Sequence, residues 1–395
     1  MSMSCFLRGS MRIVSCFAVC FTLALITGVT TAAMAGETED GLSSCEEGRA
    51  LSPAGADAKL ARGFNLPNWE PSHTGLKPDK ALLELLRKEG FSHVRLPVDG
   101  EWLMADFTDV TETDRYLATL EKEVLRLNKL GFAVTVDMHP GGRFQALHRM
   151  VPDKAFALLI EAWDLVVSRS RSWPKDDIYF ELLNEPVPSQ DIWWSQAQVL
   201  VTHLNAAAPT RGLIVGPAVF QRYEPLLSAQ PLKGNRLTYA IHYYDPFVFT
   251  HQAMSWDPGS YLSKVGQLPF PGNSDHPQVA KAVQKLKDEG KAAGADDIEK
   301  AYEESWDAAR VAADLAPVGE WSKRYGVPVI VNEFGVLTFD VDPWARHDWL
   351  AAVRKGAEDA CLGWTHWDFS DGFALVDSAT TLPDPLVLDA LFGAR

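Results

Sequence analysis

Apolar residues along the 395-residue chain fall into two alternating patterns. Short runs, apolar on both faces, occur at 61–66 (ARGFNL), 91–98 (FSHVRLPV), 132–140 (FAVTVDMHP), 178–186 (IYFELLNEP), 212–218 (GLIVGPA), 237–246 (LTYAIHYYDP), 327–336 (VPVIVNEFGV) and 362–370 (LGWTHWDFS). Runs of this length without polar alternation read as strands covered on both faces, as in a parallel sheet. Between them lie longer segments such as DKALLELLRKEG, RYLATLEKEVLRLNKLG and DKAFALLIEAWDLVVSRS, with apolar residues every three and four positions, the spacing of amphipathic helices. Asp79 and Asp153 suit helix starts, and Gly90 and Gly131 suit helix ends. Eight strand–helix units in series predict an α/β fold, a (β/α)8 TIM barrel in a single domain over 61–395. An open doubly wound sheet fits less well, because GFNLPNW stands where a Gly-rich phosphate loop would follow the first strand.

The sixth and seventh strands are separated by an unusually long connection, a loop-plus-helix insertion of about 80 residues where barrels use short ones. Its first part (247–277) is aromatic and loop-like, whereas the second is charged and helical with breaks expected at Gly290 and Gly294. Leaving the carboxyl end of a strand, it is placed to shape a site.

The N-terminus changes the compartment. Arg8 and Arg12 flank an uncharged apolar stretch, Ile13 to Thr30, and Ala33-Met34-Ala35 gives a small-x-small cleavage pattern. Residues 1–35 therefore read as a signal peptide, with 36–60 an N-terminal arm and the mature protein secreted or periplasmic. A membrane span fits less well, since acidic residues follow at once, and LSSC (42–45) does not abut the apolar region as a lipidation site would. Without residues 1–35 the net charge moves from −15 to −17, as Arg8 and Arg12 are lost and no acid is. An acidic chain argues against nucleic acid and anionic membrane as partners. Nothing suggests more than a monomer. Cys45 and Cys361 are the two cysteines left after cleavage, either a disulfide or two thiols. In a closed barrel, Cys361 precedes the eighth strand and Cys45 leads toward the first, so a bond between them would fasten the arm.

Barrel chemistry sits at the carboxyl ends of the strands. The residues there are Asn65, Asn68 and Trp69 after the first strand, Arg95 on the second, Asp137 and His139 on the third, Asn184 and Glu185 on the fourth. His242 and Tyr244 follow on the sixth, Glu333 on the seventh, and Trp364, Trp367 and Asp368 on the eighth. Two facing carboxylates, one protonated and one ionised, are what glycosidic bond cleavage requires. Arg95 would favour the ionised one, and flat aromatic faces such as Trp256 in the long loop would suit sugar rings. Glu181 and Asp137 share the pleat of site residues and read as structural. No metal site is expected, since the first strand has no His-x-His and no close cluster of His with carboxylate stands at ligand spacing.

RGFNLPNW, VRLPV, DMHP, LLNEP, IHYYDP, VNEFG and WTHWDFSDGFAL occur in barrel order over nearly all of the mature chain. Together they resemble glycoside hydrolase family 5, the cellulase family of retaining barrels. The resemblance implies Glu185 as general acid/base and Glu333 as nucleophile. It also implies Asn184 holding the sugar, Arg95, His139, His242 and Tyr244 orienting the pair, Trp367 as stacking platform, and no cofactor. Asn332 before the nucleophile and Pro140-Gly141-Gly142 after His139 depart from the family's usual pattern. The expected partner is a β-linked polysaccharide, foremost a β-1,4-glucan, with β-mannan, β-1,3 or mixed-linkage glucan and exopolysaccharide as rivals. A non-catalytic glycan-binding barrel is the rival of another class.

Overall fold

The computed structural model describes Cys45 and residues 58–393. The expected signal peptide, and the arm apart from Cys45 and residues 58–60, lie outside the described residues. Eight parallel strands close on themselves in sequence order: β1 (Arg62–Asn65), β2 (His93–Val98), β3 (Ala133–Met138), β4 (Ile178–Glu181), β5 (Gly212–Val215), β6 (Leu237–His242), β7 (Val329–Phe334) and β8 (Gly363–His366). β1 pairs with β8 through Gly63 opposite Thr365, which closes the barrel. Helices occupy the connections, and all eight carboxyl ends lie on one rim.

The sequence dictates both faces of each strand. Along β2, Val94, Leu96 and Val98 join the large apolar core, while His93 and Arg95, one pleat away, meet Thr135 of β3 and Glu181 of β4. Asp79 caps Lys80–Glu89 by accepting from the Leu82 amide, and Gly90, at φ 118°, ends it. Asp153 is not a cap: Val151 takes that position and Asp153 lies in the first turn. Gly294 likewise does not break the insertion. It is buried within Ala292–Ala301, where a Cβ would meet Tyr261, so of the two glycines only Gly290 lies in the break between that helix and Pro277–Asp288.

The insertion is pinned rather than loose. The Leu337 amide donates to Thr250, the Gln267 amide donates to Asp340, and Gly272 and Trp306 exchange backbone hydrogen bonds. These contacts build the loops after β6 and β7 into one wall above the rim. Below, Cys45 and Cys361 form a disulfide with Cα atoms 5.8 Å apart. Among the described residues, no helix is long and apolar enough to cross a membrane.

Candidate active site

Arg95 organises the rim. Its guanidinium is fully buried and donates twice to Glu181 (Nε to Oε2, 2.6 Å; Nη2 to Oε1, 2.9 Å). It also donates to Asn65 Oδ1 (2.9 Å), Asn184 Oδ1 (2.9 Å) and Glu333 Oε1 (2.5 Å), and pairs with Asp137 (2.9 Å). Burial alone would weaken a guanidinium, yet three carboxylates hold its pKa well above the ordinary value. Asn332, the departure before Glu333, has a role here. Its side-chain amide donates to Glu181 Oε1 (2.8 Å) and its backbone carbonyl accepts from the Asn65 amide, so it steadies the carboxylate that grips Arg95.

Glu333 sits among donors. Arg95 reaches one oxygen and the Tyr244 hydroxyl donates to the other at 3.1 Å, an arrangement that stabilises negative charge. Glu185 faces it from the end of β4. Its Oε1 lies 3.0 Å from His242 Nδ1, which is also 3.5 Å from Glu333 Oε2. Burial raises the Glu185 pKa, opposed by His139 and Arg95. One carboxylate oxygen from each glutamate and a ring nitrogen of His242 all lie within 4.8 Å of one another. Burial depresses the His242 pKa to about 4, so a neutral imidazole bridges the pair at neutral pH.

A second chain of contacts fixes Asn184. His139 Nδ1 donates to Asp137 Oδ2 (2.9 Å), which leaves Nε2 to accept from the Asn184 amide (3.1 Å), while Arg95 takes the Asn184 oxygen. Burial lowers the His139 pKa and pushes Asp137 up to about 7. The His139 ring stacks on Trp367 with centroids 5.9 Å apart. Trp367 and His139 are shared by two halves of one cleft. One half, of about 740 Å³, contains Glu185, Glu333, His242 and Tyr244, with Phe220, Phe247, Trp256, Phe339 and Phe373 as walls. The other, of about 450 Å³, runs over Glu70, His73 and Asp99.

Most residues singled out from the sequence are thus brought to one place, with four exceptions or qualifications. Trp364 is buried away from the cleft, where its indole donates to Glu358 Oε1 (3.1 Å) and packs on Phe91 and Phe392, and Asn68 is buried with its amide donating to the Ser370 hydroxyl (3.0 Å). Asn65 is buried under Arg95 and supports it without lining the cleft. Trp69 is not brought to the cleft: it is 6% exposed, donates to the Pro97 carbonyl and packs on Tyr116. Trp256, 58% exposed, does line the cleft. Glu185, His242 and Glu333 were expected at the rim, but their approach at cation-ligand spacing was not legible, because they come from three strands. Those atoms could ligate a cation, but the Arg95 guanidinium on Glu333 places a fixed positive charge beside that position. Sequence reasoning also missed Gln221, whose Oε1 accepts from the Glu185 amide at 2.7 Å. No strand pattern or motif marked it.

A model described as cellulase, glycosyl hydrolase family 5, matches residues 52–370. The chain belongs to this family. As a family 5 glycoside hydrolase it is similar to Endoglucanase 3 of Fibrobacter succinogenes, 24% identical over 337 residues, 81% of this chain and 51% of that protein. This chain therefore spans about half the length of that relative. It is also similar to Endoglucanase C of Acetivibrio thermocellus, 23% identical over 323 residues, 78% of this chain and 90% of that one. Among solved structures, Thermotoga maritima Cel5A in complex with cellobiose matches with a TM-score of 0.68 at 22% identity. That match covers 85% of this family 5 chain and 99% of the other, a likeness of fold.

Proposed function

We propose that this family 5 hydrolase is a secreted, retaining endo-β-1,4-glucanase in which Glu333 is the nucleophile and Glu185 the general acid/base. The observation that carries the reading is the approach of the two carboxylates to within 4.8 Å, from facing strands. Retaining glycosidases hold their pair about 5–5.5 Å apart, whereas inverting ones leave roughly 6.5–9.5 Å for a water. The environments differ as the two roles require. Glu333 lies against a guanidinium and a phenol, and attack on the anomeric carbon needs a charged oxygen. Glu185 is pushed toward the protonated form by burial, which suits donation to the departing oxygen. Once the glycosyl-enzyme has formed, Glu185 is ionised and takes the proton of the incoming water, releasing the sugar with its configuration retained.

Asn184, held at both ends of its amide, presents its remaining N–H beside the bond to be cleaved, and Trp367 offers a sugar ring its face. The endoglucanase names of the relatives support a β-glucan, and the two-sided cleft suits a chain that enters along its length. The apolar Ile13–Thr30 stretch and the Ala33-Met34-Ala35 pattern support secretion.

The test is product analysis on a panel of β-glucans and β-mannans, with Glu333→Ala and Glu185→Ala beside the wild type. Glu333→Ala should abolish turnover while the protein stays folded, and azide should partly rescue Glu185→Ala on a substrate with a good leaving group. Full activity in either variant contradicts the assignment.

A further inference from the structure

We propose that Gln221 is a positioning residue for the general acid, a role that rests on the reading of Glu185 above. Gln221 is fully buried and belongs to a turn after β5 in which Val219, Phe220 and Gln221 have φ of 57°, 58° and 53°. Three successive non-glycine residues in the left-handed region, one of them β-branched, form a strained conformation that persists only when its surroundings enforce it. Here they do. Gln190 Oε1 accepts from the Ala218 amide (2.8 Å), and Trp193 donates to the Gly216 carbonyl (2.8 Å). Gly216 is required by the same packing: a Cβ on it would lie 2.3 Å from Gln221 Nε2.

The turn delivers the Gln221 amide to two partners. Its Oε1 accepts from the Glu185 N–H at 2.7 Å, and Nε2 points to Glu181 Oε1 at 3.4 Å. Glu185 is itself left-handed, at φ 45°. A residue at that φ leaves the strand direction, and the hydrogen bond that the Glu185 backbone N–H donates to Gln221 Oε1 holds it in that state. Glu181 in turn grips Arg95, which reaches Glu333. Gln221 therefore ties the backbone of the acid to the buried charges that fix the nucleophile. It touches neither carboxylate's reacting oxygen, so it acts through Glu185.

The experiment separates positioning from general structural support by leaving-group dependence. Gln221→Met keeps the volume and removes both hydrogen bonds. Gly216→Ala leaves Gln221 intact and displaces it. For both, kcat/KM is measured on a cello-oligosaccharide, whose sugar leaving group needs protonation, and on 2,4-dinitrophenyl β-cellobioside, whose leaving group does not. kcat/KM reports steps up to the glycosyl-enzyme, so slow release does not obscure it. A displaced acid should cost roughly 30–100-fold on the oligosaccharide and less than about 3-fold on the aryl glycoside. Thermal melts show that each variant is folded, and either one alone suffices for the comparison. Equal losses on both substrates would overturn the proposal. Glu185→Ala is the control: if it shows no leaving-group dependence, the assignment of the acid has failed, whatever Gln221 does.

Discussion

Replacing Arg95 by Met tests the electrostatic design of the site. The guanidinium donates five hydrogen bonds and faces Asp137, Glu181 and Glu333 with nitrogen–oxygen distances of 2.5–2.9 Å in a fully buried setting. Methionine fills much of the same space and leaves the carboxylates without a counter-charge. Breaking a buried ion pair from one side costs about 3–5 kcal/mol, a large part of the ~5–15 kcal/mol that holds a typical domain folded. The carboxylates limit the cost by taking up protons, and Asp137 is first in line because burial already lifts it to about 7 against the pull of Arg95.

The sign follows from that value. Asp137 binds a proton in the fold at pH values where the unfolded chain has released it, so it makes stability fall as pH rises from about 4 to about 7. In the wild type that fall ends near pH 7, whereas in Arg95→Met, with the lowering charge removed, it continues upward. The Asp137 share of the variant's deficit should therefore set in near pH 7 and widen above it, approaching about 1.4 kcal/mol per pH unit. Chemical denaturation at pH 5, 6, 7, 8 and 9 measures this. Arg95→Lys should remove the widening, since charge is restored, yet remain nearly inactive, because one ammonium cannot hold Glu181, Asn184 and Glu333 together. A deficit under 1 kcal/mol, or one independent of pH, would refute the reasoning.

Further predictions concern stability and cofactor need. Thiol titration of the unreduced, denatured protein should find no free Cys45 or Cys361, and reduction should lower stability by about 2–4 kcal/mol; two titrating thiols would contradict the bond. His366 is buried with both ring nitrogens unpartnered. His366→Leu should therefore leave stability unchanged or raise it by about 1 kcal/mol in a denaturation curve, and a loss above about 2 kcal/mol would contradict this. Activity should be unchanged in excess chelator, because Arg95 already supplies positive charge at Glu333; loss restored by a divalent ion would show that the Glu185, His242 and Glu333 set holds a metal.

The barrel was legible because each strand carries its own evidence, a short doubly apolar run closed by polar residues at the rim. The rim residues were legible for the same reason: a carboxylate such as Glu333 ending an apolar strand has no structural excuse on its own. Partnerships across strands were not legible. Glu181 could be read as structural, but its grip on Arg95 depends on barrel register, as does the support that Asn332 gives it. Trp69 shows the opposite limit. Its place after β1 suggested the cleft, yet the chain folds back through the Pro67–Trp69 turn and buries the indole against Tyr116. Gln221 was invisible because its position comes from a left-handed turn in a sequence, AVFQ, that has no glycine to announce one.

The central claim is that Glu333 attacks the sugar. A 2-deoxy-2-fluoro β-cellobioside with a good leaving group slows both steps, the second more, and should trap the intermediate. Intact-protein mass spectrometry should then show one added fluorocellobiosyl group, and peptide mapping should place it on Glu333. An adduct on another residue, or hydrolysis with inverted configuration and no adduct, would contradict the account.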